Sequence, residues 1–305
     1  MKNHANDVAS LVGMALVSRD IGKDDPADAK VGRIFTSVCN ELRWCQSAPD
    51  RREPFAPEML DCTRKLAVFS ASTSSLESAL ADWCEICMLA GVRKSEWAQD
   101  KDKLKDPAMV ELNLFNDPTA FCINDVEIQT VDRTRLSGLQ CLLVLHISVQ
   151  KLWLTFCTQK NGDNGEKLSF VRNPNVGGHC VVVAVHRVLC RFEALVGSWN
   201  LRIPLSVCKA NSGNCLALVM SRDIETSVHV IAEVTCNFNP RTRTNCTELM
   251  RWSAHSLRVE ACVLVHAFGC STTQIKWLLH WRSDAVVVCL RNISMLADVH
   301  HQTLD

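Results

Sequence analysis

The chain of 305 residues contains no tyrosine at all. Aromatic residues amount to only 6% of it, so eight tryptophans and ten phenylalanines must supply whatever ring packing the core uses. Long apolar runs are missing too. The longest, residues 139–147, includes Gln140 and His146 and is far too short to span a bilayer, so no membrane partner is expected. The first 25 residues hold no basic segment leading into an apolar one, which predicts an intracellular protein without a secretory leader. A GxSxG elbow, a phosphate-binding glycine loop and an HExxH helix are all absent, so the commonest hydrolase, NTPase and zinc-protease motifs have no counterpart here.

What is present is an ordinary globular composition with one excess. Apolar residues make up 47% and charged residues 22%, enough to bury a core over one or two domains. The excess is 17 cysteines, scattered singly and often inside apolar stretches, which without secretion reads as reduced and mostly buried thiols. Tyr and Cys codons differ by one base, so replacement of Tyr by Cys along the chain would leave this composition. Cys84 and Cys87 form a CxxC within a predicted helix, with no second pair to complete four ligands, so no zinc site is expected. The net charge is zero, but residues 1–150 hold 17 basic against 22 acidic side chains and residues 151–305 hold 16 against 11. The basic second half also carries eight of the ten histidines, which keeps a polyanionic partner open.

Periodicity predicts a mixed α+β chain in which helices outnumber strands and a small antiparallel sheet sits between helical blocks. Residues 1–28 read as a leader and 29–45 as a helix, followed by a proline-rich turn at 46–57. Pro57 opens a helix to Phe69, and serines at 72–75 cap another that ends at Gly91. Strands are expected at 121–128, 150–158 and 167–171, the last two joined by a Gly/Asn/Asp hairpin loop. Helices follow at 180–195, 221–234, 253–268, 272–280 and 284–296, and Trp153, Trp199 and Trp277 are expected in the core. The expected division is 1–54, a short helical N-terminal region, and 55–305, a mainly helical domain with the small sheet.

Three basic segments lie beside predicted helix ends: Gly91-Val92-Arg93-Lys94-Ser95-Glu96, His255-Ser256-Leu257-Arg258, and His280-Trp281-Arg282-Ser283 leading to Cys289. In this order and spacing they resemble the tyrosine recombinase (phage-type integrase) superfamily, most of all its eukaryotic mobile-element members. The resemblance runs from about residue 56 to 300. It implies that Arg93 and Arg258 stabilise a phosphodiester in its charged transition state through bidentate hydrogen bonds. It also implies that Lys160, on the hairpin loop, protonates the leaving 5′ oxygen, that His255 serves as acid or base, and that the Trp281 indole N–H holds the phosphate. Double-stranded DNA is the implied partner and a homo-oligomer the implied assembly, nuclear in a eukaryote, with no metal, no cofactor and no small-molecule substrate.

The family pattern departs at one place. Cys289, eight residues after Trp281, stands where the family has its nucleophilic tyrosine. An ionised thiol is a nucleophile. Its side chain is much shorter than a phenol, however, and a reacting atom misplaced on that scale costs orders of magnitude in rate. Impaired strand transfer is therefore expected. Glu260, two residues after Arg258, would repel a phosphate unless its helix turns it away. The alternative reading is a non-catalytic scaffold or interaction protein that keeps only the fold.

Overall fold

The segment Leu76–Ala90, which we label α2, is buried on nearly every side, Asp82 and Glu85 included; such a helix is stable only with neighbours all round it. Its start is set by Ser75, whose hydroxyl accepts from Ser78 N, and its end by Gly91, at φ 65°. The computed structural model of the protein describes residues 52–70, 72–98, 120–144, 146–157, 164–175, 178–196, 203–210, 216–237, 248–281 and 285–290. The predicted leader, the 29–45 helix, Lys160, Trp199 and the C-terminal tail lie outside these residues. The described residues belong to one packing unit that begins at Arg52.

Around α2 pack α1 (Pro57–Phe69), α4 (Val181–Leu195) and α6 (Ala254–Ala267). A one-turn helix, α3 (Lys94–Trp97), follows α2 directly. The remaining α-helices among the described residues are α5 (Ser221–Thr235), α7 (Thr272–Leu278) and α8 (Ala285–Leu290). Ser271 and Gln274 cap α7 reciprocally, each bonding the other's backbone N–H. Among the described residues no helix is long and apolar enough to cross a membrane.

Four strands, β1 (Val126–Thr130), β2 (Arg135–Ser137), β3 (Val149–Phe156) and β4 (Glu166–Val171), form an antiparallel sheet in the order β2-β1-β3-β4. A separate two-stranded ribbon joins β5 (Val207–Lys209) to β6 (Leu216–Leu218). The molecule is thus α+β with a small antiparallel sheet. Two expectations need correction. The strand expected at 121–128 starts only at Val126, because Asp125 caps Cys122 N and closes a 3-10 turn at Ile123–Asp125. Trp277, expected in the core, is 74% exposed on α7, whose single buried side is taken by Ile275. Trp153 is half-buried, with Arg135 and Lys151 over its ring.

An aromatic file runs out of the core. Trp97 stacks on Trp83 at 5.2 Å, Trp83 on Phe121 at 6.5 Å, and Phe121 meets Phe156 edge-on at 5.1 Å. Pairs of this kind contribute about 0.5–1.5 kcal/mol each beyond burial. The file ends on the ring of His280, 5.0 Å from Phe156, and this anchors the segment after α7 to the sheet.

Candidate functional site

Arg93 begins α3 and is held by Glu96. The Glu96 carboxylate accepts from Arg93 N at 2.6 Å and from Arg93 Nη1 at 2.8 Å, and it is itself buried. Arg258 sits on α6 beneath it, 5% exposed. Helix α6 starts at the Ser253 cap, which accepts from His255 N. His255, Arg258 and Cys262 follow at i, i+3 and i+7, the spacing of one helix face.

The two arginines meet at one backbone oxygen. Arg93 Nη2 donates to His280 O at 2.9 Å, and Arg258 Nη2 donates to Leu279 O at 2.6 Å and to His280 O at 3.4 Å. That carbonyl is placed by a helix end of unusual composition. After α7 the chain closes with Trp281 N bonded to Lys276 O, and His280 takes the left-handed position, φ 54°, that glycine ordinarily fills. Its ring is fixed from the sheet side, with Nδ1–H donating to Glu166 Oε2 at 2.5 Å. His280 Nε2 and Trp281 Nε1 are both buried without a hydrogen-bond partner. The Arg258 guanidinium lies 4.8 Å from the centre of the Trp281 ring, and His255 lies 6.1 Å from it. Burial, together with the nearby Arg93 charge, lowers the pKa of Arg258 to about 10, which still leaves it cationic at neutral pH.

Cys289, half-buried on α8, completes the cluster. It accepts hydrogen bonds from Cys262 and His255 and lies in the field of Arg258. Against the opposing effect of burial, these hold its thiol well below the usual range, while the same bond raises Cys262. Glu260 is buried and its charged neighbour is Glu58 on α1, so α6 does turn it away from the arginines.

The structure therefore brings Arg93, His255, Arg258, Trp281 and Cys289 together, while Lys160 lies outside the described residues. The strands that bear its loop end at the pair Phe156 and Glu166, and both of these side chains touch His280. Sequence reasoning missed His280, Glu166 and Cys262. Cys262 was readable from the face it shares with His255 and Arg258. Glu166 left no signal, and His280, though it opens one of the three basic segments, gave no sign of its role, because a left-handed residue without glycine and a contact across 114 positions have no local pattern. Chemically, the arrangement offers two guanidiniums, an exposed imidazole, a buried indole N–H and a thiol of raised acidity in one cluster.

No protein-family model matches the chain, and no curated protein matches it. Among solved structures it is similar to the Tn1549 transposon integrase in complex with transposon right end DNA, at TM-score 0.37 and 11% identity, covering 81% of this chain and 62% of that one. The same integrase in complex with circular intermediate DNA matches at TM-score 0.36 and 11% identity, covering 95% and 72%. The chain thus spans less than two thirds of the first of these structures.

Proposed function

We propose that this protein binds double-stranded DNA as a tyrosine recombinase-type integrase, with Arg93 and Arg258 as the phosphate-binding pair and strand transfer impaired by Cys289. The observation that carries the reading is that both guanidiniums donate to the single oxygen of His280. Two cations converging on one anionic or carbonyl oxygen is the geometry that a pentacoordinate phosphorus needs at its non-bridging oxygens. The flanking groups agree with it. His255 stands beside Cys289, the residue in the nucleophile slot, and the Trp281 N–H is buried without a partner. Lys160 belongs to the β3–β4 loop and is assigned the leaving-group proton on the resemblance alone. DNA integration or recombination in a mobile element, and assembly as a homo-oligomer, complete the proposal.

Affinity for duplex DNA, titrated against salt, tests it. The wild type should bind with a strongly negative dependence of log K on log salt, about −0.9 per phosphate contacted. Arg93→Ala with Arg258→Ala should lose most of that affinity and flatten the slope. Because Arg258 is buried, Arg93→Ala alone and Arg258→Lys are the folded controls, each checked by Tm. Unchanged binding in all three would mean that the phosphate site does not exist and would favour the scaffold reading.

A further inference from the structure

Cys289 does not stand alone. Its helix, α8, packs on α6, where Ala261, Cys262, Ile275, Leu279 and Val286 form a small apolar cluster with Cys289 against it. The Cys262 S–H donates to the Cys289 sulfur, so two sulfurs carried by different helices are in contact. His255 donates to the same sulfur. Cys262 is fully buried, whereas Cys289 is half-buried and open to small solutes.

The contact gives the two thiols unlike roles. The bonds from Cys262 and His255 favour the Cys289 thiolate against the opposing effect of burial. The Cys262 thiol is pushed up instead, first by its bond to Cys289 and then by burial. A solvent-reachable thiolate beside a second thiol is the arrangement in which oxidation ends at a disulfide rather than at higher oxides of sulfur. Cys122 and Cys157 are neighbours as well, but burial and the Asp125 carboxylate push both of their thiols up. That pair has no thiolate to begin the reaction.

We propose that Cys289 and Cys262 form a reactive dithiol whose substrate is a small hydroperoxide, with Cys289 as the attacking and Cys262 as the resolving thiol. The Cys289 sulfur attacks one peroxide oxygen. An S–O bond forms, the O–O bond breaks, and the departing hydroxide takes up the proton that the thiol had released. The Cys262 sulfur then attacks the sulfenic acid. The S–S bond forms, the S–O bond breaks, and the displaced hydroxide leaves as water with the Cys262 proton. Two thiols lose two electrons, and hydrogen peroxide gains them and becomes two waters. The order of the steps follows from the contact. Oxidation of Cys289 removes its negative charge, and with it the first cause that holds the Cys262 proton. The proposal goes beyond DNA binding and does not rest on it.

Stoichiometric hydrogen peroxide added to the full chain at neutral pH without DNA, followed by non-reducing digestion and mass spectrometry, tests it. Cleavage after Phe268 separates Cys262 from Cys270, so the partner of Cys289 is read directly. The expected product is a Cys262–Cys289 cross-link, formed at a rate independent of protein concentration. Cys289 should oxidise about tenfold or more faster than Cys157. In Cys262→Ala the sulfenic acid has no resolving thiol, so trapping of Cys289 by dimedone should rise about tenfold or more over the wild type. Since Cys262 is buried, Cys289→Ser is the second variant, and there Cys262 should stay reduced. No oxidation of Cys289, a cross-link from it to another cysteine, prior oxidation of Cys157, equal dimedone trapping in wild type and Cys262→Ala, or oxidation of Cys262 in Cys289→Ser would each overturn the proposal. With no DNA present, any of these results leaves the arginine pair's role to its own test.

Discussion

At Cys289 and Cys157, exposure and reactivity part company. Cys157 is exposed, yet partial burial of its sulfur and its bond to the Asp125 carboxylate push its thiol up to about 11. Cys289 is less exposed, but Cys262, His255 and Arg258 all favour its thiolate. Iodoacetamide at neutral pH, with peptide mapping, should therefore alkylate Cys289 before Cys157; the reverse order would show that Cys289 is not activated. Glu260 makes a second test. Burial, with Glu58 adding, raises its carboxyl to about 7. The folded state then keeps a proton that the unfolded chain has already released, so stability falls as pH rises from the ordinary carboxylate range through 7. The loss is on the order of 3 kcal/mol once complete, and Glu260→Gln should flatten the dependence of urea midpoints on pH between about 5 and 8. An unchanged slope would place the effect elsewhere.

At the scale of elements, the end of α2 and the end of α7 lock together. Gly91 takes a positive φ, and a Cβ added there would stand 2.7 Å from Leu279 Cδ2 and 3.3 Å from Leu279 Cβ. Leu279 and His280 carry the two carbonyls that the arginines use. Gly91→Ala should thus cost about 1–2 kcal/mol through its backbone alone and lower Tm by a few degrees and, on the proposed function, should also weaken DNA binding as the carbonyls shift. Equal Tm and equal affinity would mean that the two helix ends are not coupled. The hydrophobic contacts of α8 with α6, through Cys262 and Val286, hold Cys289 against the same cluster.

For the whole molecule, the proposed function raises one question: whether Cys289 in place of tyrosine is the one obstacle to strand transfer. The arginines, His255 and Trp281 come from α3, α6 and the turn after α7, and the hairpin of β3 and β4 reaches them through Glu166. If the rest of the machinery is intact, Cys289→Tyr should produce a covalent protein–DNA adduct on a nicked duplex, resolved by denaturing gel. Absence of an adduct, with DNA affinity retained, would mean that the proposed site lacks more for strand transfer than the tyrosine.

Much of this was legible in one dimension. The first two helices were set by Pro57, the serine cap and Gly91, because capping and left-handed backbone are local effects. The apolar period of residues 180–195 and 221–234 likewise settled α4 and α5, and the spacing of His255 and Arg258 put both on one helix face. What only the tertiary structure decided is where these pieces meet. It set a left-handed His280 tied to Glu166, an aromatic file that ends on its ring, and a Cys262–Cys289 contact that changes the thiol's acidity. It also exposed Trp277, which its composition had assigned to the core. Sequence patterns encode which side of an element is buried, whereas convergence of distant side chains depends on how the elements pack, and no local period records that.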